Sequence, residues 1–323
     1  MEKITEIDKK ILYELILDAR QSISRIAKKL RQSKNVVNYR IQRLEQLGII
    51  TNYYTIIDSF KIGYKGIRFY TKFQYTSPDA TQQIIHHFTK EKQVGAIYSL
   101  LGAYDLDVIY WITSLKKFHT SWNKTLKQFC KYFHKPTFSL LYQVIYFDPL
   151  YLLTQKPHKH ERKTIELNAF DTPVEIDDIE MNILHLIAAH ARLSTTAIAR
   201  HLGITEEIVR YRIKKLIKTG VIKGFTTNID ISKIGYEWIA VQLYLSEYQD
   251  RTKILKYFET NPYFVGFDAS MGYAHLELEF HVRNIDHLIE IIQDLLSTFP
   301  QSIKSYTYFK PRIIHKLQYM PEQ

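Results

Sequence analysis

The feature that most constrains this chain is that it is written twice. Ile11-Leu12 recurs as Ile183-Leu184, Ala19-Arg20 as Ala191-Arg192, Ile26-Ala27 as Ile198-Ala199, and Tyr39-Arg40-Ile41 as Tyr211-Arg212-Ile213. Each match lies 172 residues on, without a gap, and the register runs to Lys61-Ile62-Gly63-Tyr64 and Lys233-Ile234-Gly235-Tyr236. A register kept over that span is a duplication. With 323 residues the chain is too long for one ordinary core. Between the copies, residues 154–173 are polar and Pro-containing, as a surface connector is. His158 and His160 in that stretch have no third ligand near them, and a zinc site wants at least three, so they read as solvated.

Within each copy the first ~50 residues have helical periodicity broken in two places. Ile7, Ile11, Leu12 and Leu15 mark one amphipathic helix, Ile26 and Leu30 a short second one capped by Ser22, and Val37, Ile41 and Leu44 a third capped by Ser33. Gly48 ends the third helix, and the β-prone run Ile49–Thr55 reads as a wing. Three helices, a tight turn and a wing make a winged helix-turn-helix, whose third helix is the one offered to a major groove.

That helix carries Lys34, Asn35, Asn38, Tyr39, Arg40, Gln42 and Arg43 outward, with no acidic side chain before Glu45. These residue types bond base edges and phosphates in double-stranded DNA. The second copy offers Arg210, Tyr211, Arg212, Lys214 and Lys215, but Glu206 and Glu207 replace Lys34 and Asn35 at the helix start. Acids there suit the helix dipole and repel phosphate. Conversely, Gly203 occupies the turn of the second copy where the first has Arg31, which is costlier in a left-handed conformation. The first helix is therefore expected to read DNA, and the second mainly to touch backbone.

The remainder of each copy reads β-α-β-β-α-β, the ferredoxin-like split motif. In the first copy the elements are 67–75, 79–90, 94–101, 104–112, 118–133 and 137–147; in the second the pattern runs from Trp238 to Phe309. The fold class is thus α+β, with expected domains 1–56, 62–153, 174–228 and 234–317 around the connector 154–173. Such a sheet keeps both helices on one face, and its strands bear Phe69, Phe73, Tyr98, Tyr110, Tyr142, Tyr146, Trp238, Tyr244, Phe280 and Tyr308. A bare face rich in aromatics invites sheet-on-sheet packing, which would pair the two copies inside one chain.

Charge and composition narrow the class further. A net charge of +11 favours polyanion partners. The single Cys130 excludes an internal disulfide, fits a reducing compartment and reads as a buried helix residue. The charged start Met1-Glu2-Lys3 does not suit a signal peptide, and no run approaches a membrane span, so a cytoplasmic protein without membrane contact is expected. No catalytic residue, metal site or cofactor is expected, and the chain reads as no enzyme.

The stretch Asp18-Ala19-Arg20, Ile26-Ala27, Leu30, Val37, Arg40-Ile41, Leu44-Glu45 and Gly48-Ile49-Ile50 resembles the Lrp/AsnC (feast/famine) family of transcription regulators, as does the hairpin Gly102-Ala103-Tyr104-Asp105. The resemblance implies winged helix-turn-helix DNA binding plus a ferredoxin-like (RAM-type) sensor domain that dimerises and, in many members, binds amino acids. It makes this chain look like a covalently linked dimer, with higher homo-oligomers left open. By motif it implies Gly102, Tyr104 and Asp105 as the effector pocket, whereas the second copy reads Gly272-Tyr273-Ala274-His275 and lacks the aspartate. The resemblance also reaches tetrapyrrole (siroheme-type) decarboxylases built on the same paired modules, which stands as an alternative. So does a ligand-binding module without DNA contact.

Overall fold

The computed structural model describes residues 4–153 and 162–321, so His158, His160 and much of the connector lie outside the described residues. The first copy begins with α1 (Glu6–Leu17), α2 (Ile23–Leu30) and α3 (Lys34–Gln46) and continues into β1 (Ile50–Ile57). Thr5, Ser22 and Ser33 cap the three helices through their hydroxyls, each satisfying an otherwise orphaned N–H. The sheet domain follows as β2 (Lys65–Phe73), α4 (Pro78–Lys90), β3 (Val94–Gly102), β4 (Leu106–Ile112), α5 (Leu115–Phe129) and β5 (Phe133–Phe147). The end of the expected connector forms a strand, β6 (Thr164–Asn168), laid against β5.

The second copy repeats the series as α6 (Asp178–Ala188), α7 (Thr195–Leu202), α8 (Glu206–Lys218), β7 (Ile222–Ile229), β8 (Glu237–Leu245), α9 (Arg251–Phe258), β9 (Phe264–Met271), β10 (Leu276–Val282), α10 (Ile285–Thr298) and β11 (Ile303–Leu317). The chain therefore comprises two winged helix-turn-helix units, each followed by a ferredoxin-like sheet domain. Arg31 adopts φ +53° where Gly203 adopts +67°, so the first copy does place a side chain in a left-handed cap. Cys130 departs from expectation: it lies exposed in the turn just past α5.

Pairing between the copies is more intimate than face-to-face packing. Each expected wing strand finds its partner in the other copy, β1 running antiparallel to β7. Arg20 Nε donates to the Ala191 carbonyl (2.5 Å) and Arg192 Nε to the Ala19 carbonyl (2.8 Å). Each guanidinium also lies over an aromatic ring of the opposite strand, Phe225 at 3.9 Å and Tyr53 at 3.7 Å. This reciprocal clasp explains why Ala-Arg recurs in both copies.

The two sheets merge into one closed barrel. The order β2-β4-β3-β11-β8-β10-β9-β5 returns to β2, with β6 outside the ring. Closure comes from β5 and β11, each 15 residues long. The first part of each pairs with its own sheet and the last part with the other copy, β5 on β9 and β11 on β3. Alternation along each strand separates two environments. Phe69 and Tyr110 face outward beneath α4 and α5, and Phe280 beneath α9 and α10, in two separate cores. Tyr98 and Trp238 turn inward and meet edge-to-face at 5.6 Å. The two helical layers consequently cover opposite sides of the barrel.

Candidate nucleic-acid interface

On α3 the structure sorts the seven sequence-derived residues into two groups. Lys34, Asn35, Tyr39 and Gln42 are exposed, and Asn38 is half-buried beside them. Arg40 and Arg43 turn back to α1, where the Asp8 carboxylate is fully buried. Arg40 donates to Asp8 Oδ1 (2.9 Å) and Thr5 Oγ1 (3.1 Å), and Arg43 lies 3.6 Å from Asp8 Oδ2. Burial alone raises the Asp8 carboxyl, but the Thr5 bonds and Arg40 outweigh it and hold the pKa below its ordinary value. These two arginines anchor the recognition helix to the domain.

The same device recurs 172 residues on. Glu180, equally buried, takes Arg212 at 3.3 Å and Lys215 at 2.7 Å, with Asp177 also bound to Arg212. Arg212 and Lys215, placed on DNA by sequence reasoning, are thus engaged inside their own domain. Their signal was present as an acid at 8 and 180 matched by an arginine at 40 and 212. Of the remaining residues, Tyr211 and Lys214 are exposed. Arg210 stands 3.5 Å from Glu206 and 3.8 Å from Glu207, so its charge is offset locally. Glu206 is itself held by the hydroxyls of Thr195 (2.6 Å) and Thr196 (3.1 Å).

The three residues Gly102, Tyr104 and Asp105 of the β3–β4 hairpin separate as well. Gly102 has φ +116°, and a Cβ there would meet the Tyr308 carbonyl at 2.6 Å, so only glycine fits. It lines a cleft of about 280 Å³ with Leu101, Tyr308 and the ion pair Lys310–Glu237 (2.9 Å). Tyr104 instead points into the barrel and donates to Gln242 Oε1 at 2.9 Å. Asp105 accepts the Phe73 backbone N–H at 2.7 Å. His275 does the same for Leu245 through Nδ1 at 2.8 Å. The aspartate-to-histidine exchange between copies therefore conserves an acceptor for the strand end.

Inside the barrel is a charged cluster that the sequence reading did not find. Arg68 on β2 binds Asp107 on β4 (2.8 Å), reaches across to Asp268 on β9 (2.5 Å), and contacts Glu277 on β10. Glu277 also accepts from Tyr70 and Gln242, both at 2.7 Å. One guanidinium thus serves several carboxylates, with Glu279 close by. Burial raises Asp107 to about 6, Asp268 to about 7 and Glu279 to about 8, with Arg68 acting in the opposite sense on all three.

Comparison with known proteins bears on both domain types. A winged helix-turn-helix DNA-binding family model matches residues 4–51 and 176–223. The regulator Ptr1 of Methanocaldococcus jannaschii is 39% identical over 66 residues, which is 20% of this chain and 45% of Ptr1. LrpA of Pyrococcus horikoshii is 39% identical over 66 residues, 20% of this chain and 47% of LrpA. Residues 4–51 and 176–223 are thus winged helix-turn-helix DNA-binding domains, and part of the chain is similar to Lrp-type regulators. The match spans less than half the length of these curated relatives.

Over its whole length the chain shares its architecture with the siroheme decarboxylase NirDL, at TM-score 0.65 and 13% identity, covering 98% of this chain and 94% of that one. At that identity the likeness shows a common fold. It also corrects the expectation that the chain is no enzyme, because the same full-length architecture occurs in an enzyme. Among the described residues no helix is long and apolar enough to cross a membrane.

Proposed function

We propose that the chain is a cytoplasmic, sequence-specific transcription regulator that binds double-stranded DNA as a covalently linked pseudo-dimer. The observation that carries this reading is the exposed face of α3. Lys34, Asn35, Asn38, Tyr39 and Gln42 stand there in reach of base edges and phosphates, while Arg40 and Arg43 keep the helix at a fixed attitude. The second recognition helix contributes Tyr211 and Lys214 and mainly touches backbone, because its first turn is acidic. A small molecule such as an amino acid is proposed to bind in the cleft at Gly102, where Lys310 and Glu237 offer opposite charges to a zwitterion. Selection from a random duplex library with the full chain, followed by gel-shift titration, tests the assignment. Enrichment of one sequence, weakened by Lys34→Ala with Asn35→Ala, is expected; no enrichment and no loss on substitution would sink it.

One observation favours a second reading, the full-length correspondence with a siroheme decarboxylase. In that case the chain would remove carboxyl groups from a tetrapyrrole. Incubation with siroheme, monitored by absorbance and mass, distinguishes the two: loss of carbon dioxide from the tetrapyrrole would replace the regulator by an enzyme.

A further inference from the structure

Two outer helices of the barrel, α5 and α10, have opposite electrostatic character. Residues 62–153 carry eleven Lys and Arg against five Asp and Glu. Between Asp107 and Asp148 the sequence contains no acidic residue at all. That stretch includes α5, which exposes Lys116, Lys117, Lys124 and Lys127. None of these four has an ionic partner among the described residues.

The corresponding helix of the second copy is α10. Ser114 and Asn284 cap the two helices through their side chains, 170 residues apart, and so fix the equivalence. At matched positions Lys116 becomes Asp286, Thr120 becomes Glu290 and Lys124 becomes Asp294. All three acids are exposed, although Asp294 accepts a bond from the Tyr257 hydroxyl. A charge reversal at equivalent positions is available only to a duplicated chain. In a dimer of identical subunits the two helices must carry the same sign, and contact between them is repulsive.

We infer that α5 of one molecule docks on α10 of a second copy of this chain, building a salt-sensitive head-to-tail assembly. The barrel puts the two faces on opposite sides, so one chain cannot satisfy the contact by itself. A cleft of about 590 Å³ runs beside the start of α5, lined by Lys116, Lys117, Lys124, Thr120 and Gln93. It is basic where α10 is acidic. Because the contact joins unlike faces, it is heterologous and propagates, ending in a ring or an open chain according to the rotation between neighbours. Complementary charge of this kind sets partner choice and register more than raw affinity. The inference needs no DNA and stands apart from the regulator reading.

The test is sedimentation of the full chain in low and high salt, with two charge-reversal variants. The wild type is expected to self-associate at low salt and to fall to single chains at high salt. Lys116→Glu with Lys124→Glu makes both faces acidic, and Asp286→Lys with Glu290→Lys makes both basic. Each variant alone is expected to lose self-association by about tenfold or more. An equimolar mixture is expected to recover it with strict alternation, which a folding defect in either variant cannot imitate. A wild type that stays single at low salt, or variants that associate as well as it does, would overturn the inference. So would unchanged mass accompanied by weaker DNA binding in the Lys116→Glu, Lys124→Glu protein, which would make α5 a DNA surface.

Discussion

The two recognition helices share a frame and differ in what they present. In both, a buried acid on the first helix gathers two cations from the third: Asp8 with Arg40 and Arg43, Glu180 with Arg212 and Lys215. In both, a tyrosine at the outer face is 66% exposed, Tyr39 and Tyr211. Yet the first turn is Lys34-Asn35 in one and Glu206-Glu207 in the other. Duplication preserved the parts that hold the helix and released the residues of its first turn. The barrel teaches the same lesson, since Arg68 has Ala240 as its counterpart and only one copy supplies the guanidinium.

The comparison breaks hardest at that guanidinium. Arg68→Ala leaves buried carboxylates without a cation, and a loss of about 3–5 kcal/mol is expected in denaturant unfolding. A change under about 1 kcal/mol would mean that the carboxylates simply take up protons. On DNA, Lys34→Ala with Asn35→Ala is expected to cost about 1–3 kcal/mol of binding and to lower the salt slope by about one. Lys214→Ala should cost less, and equal losses would contradict the asymmetry. Replacing Glu206 and Glu207 by Lys and Asn should sharpen it, raising affinity and steepening the salt dependence.

A pH titration probes the cluster more gently. Asp107, Asp268 and Glu279 are raised in the fold, so they hold their protons there to higher pH, while the same groups in the unfolded chain ionise from about pH 4. Stability should therefore be full below about pH 4, decline as pH rises, and have lost this contribution above about 8. Asp8, whose pKa is depressed, acts in the other direction and only under acid conditions. Glu279→Gln should flatten the decline in melts taken between pH 5 and 8; an unaltered slope would remove Glu279 from the cluster. The smallest effect is at the left-handed cap, where Arg31→Gly should stabilise by about 1 kcal/mol, bringing the first turn to the state of Gly203.

Much of the local structure was legible because it is written locally. Ser22 and Ser33 cap where the sequence places them, and α4 spans Pro78–Lys90 against the expected 79–90. The start of α5 was not, since Leu115 is 63% exposed and Lys116 and Lys117 add nothing to an apolar stripe. β11 runs to Leu317, past the expected Phe309, because its last residues pair with the other copy, a contact no local pattern encodes, whereas β5 ends at the expected Phe147 and starts early, at Phe133. Of the candidate site, Lys34, Asn35 and Tyr39 stand where the helical period puts them. Arg40 and Arg212 turn back onto the acids of their own first helices, because period alone cannot distinguish a cation at the edge of a face from one turned under it. The charged cluster was hidden for a related reason: alternating polar residues on a strand read as a solvent face, and closure into a barrel turned that face inward.

Joining the halves also changes how the molecule responds to scarcity. A pair of separate subunits comes apart once diluted below its dissociation constant, so its readiness depends on abundance. Here β1 meets β7, and β5 meets β9, at an effective concentration set by the chain itself, on the order of millimolar. Two helix-turn-helix units are presented together even when a cell holds only a few molecules, and no exchange of halves with a related protein can dilute the pair.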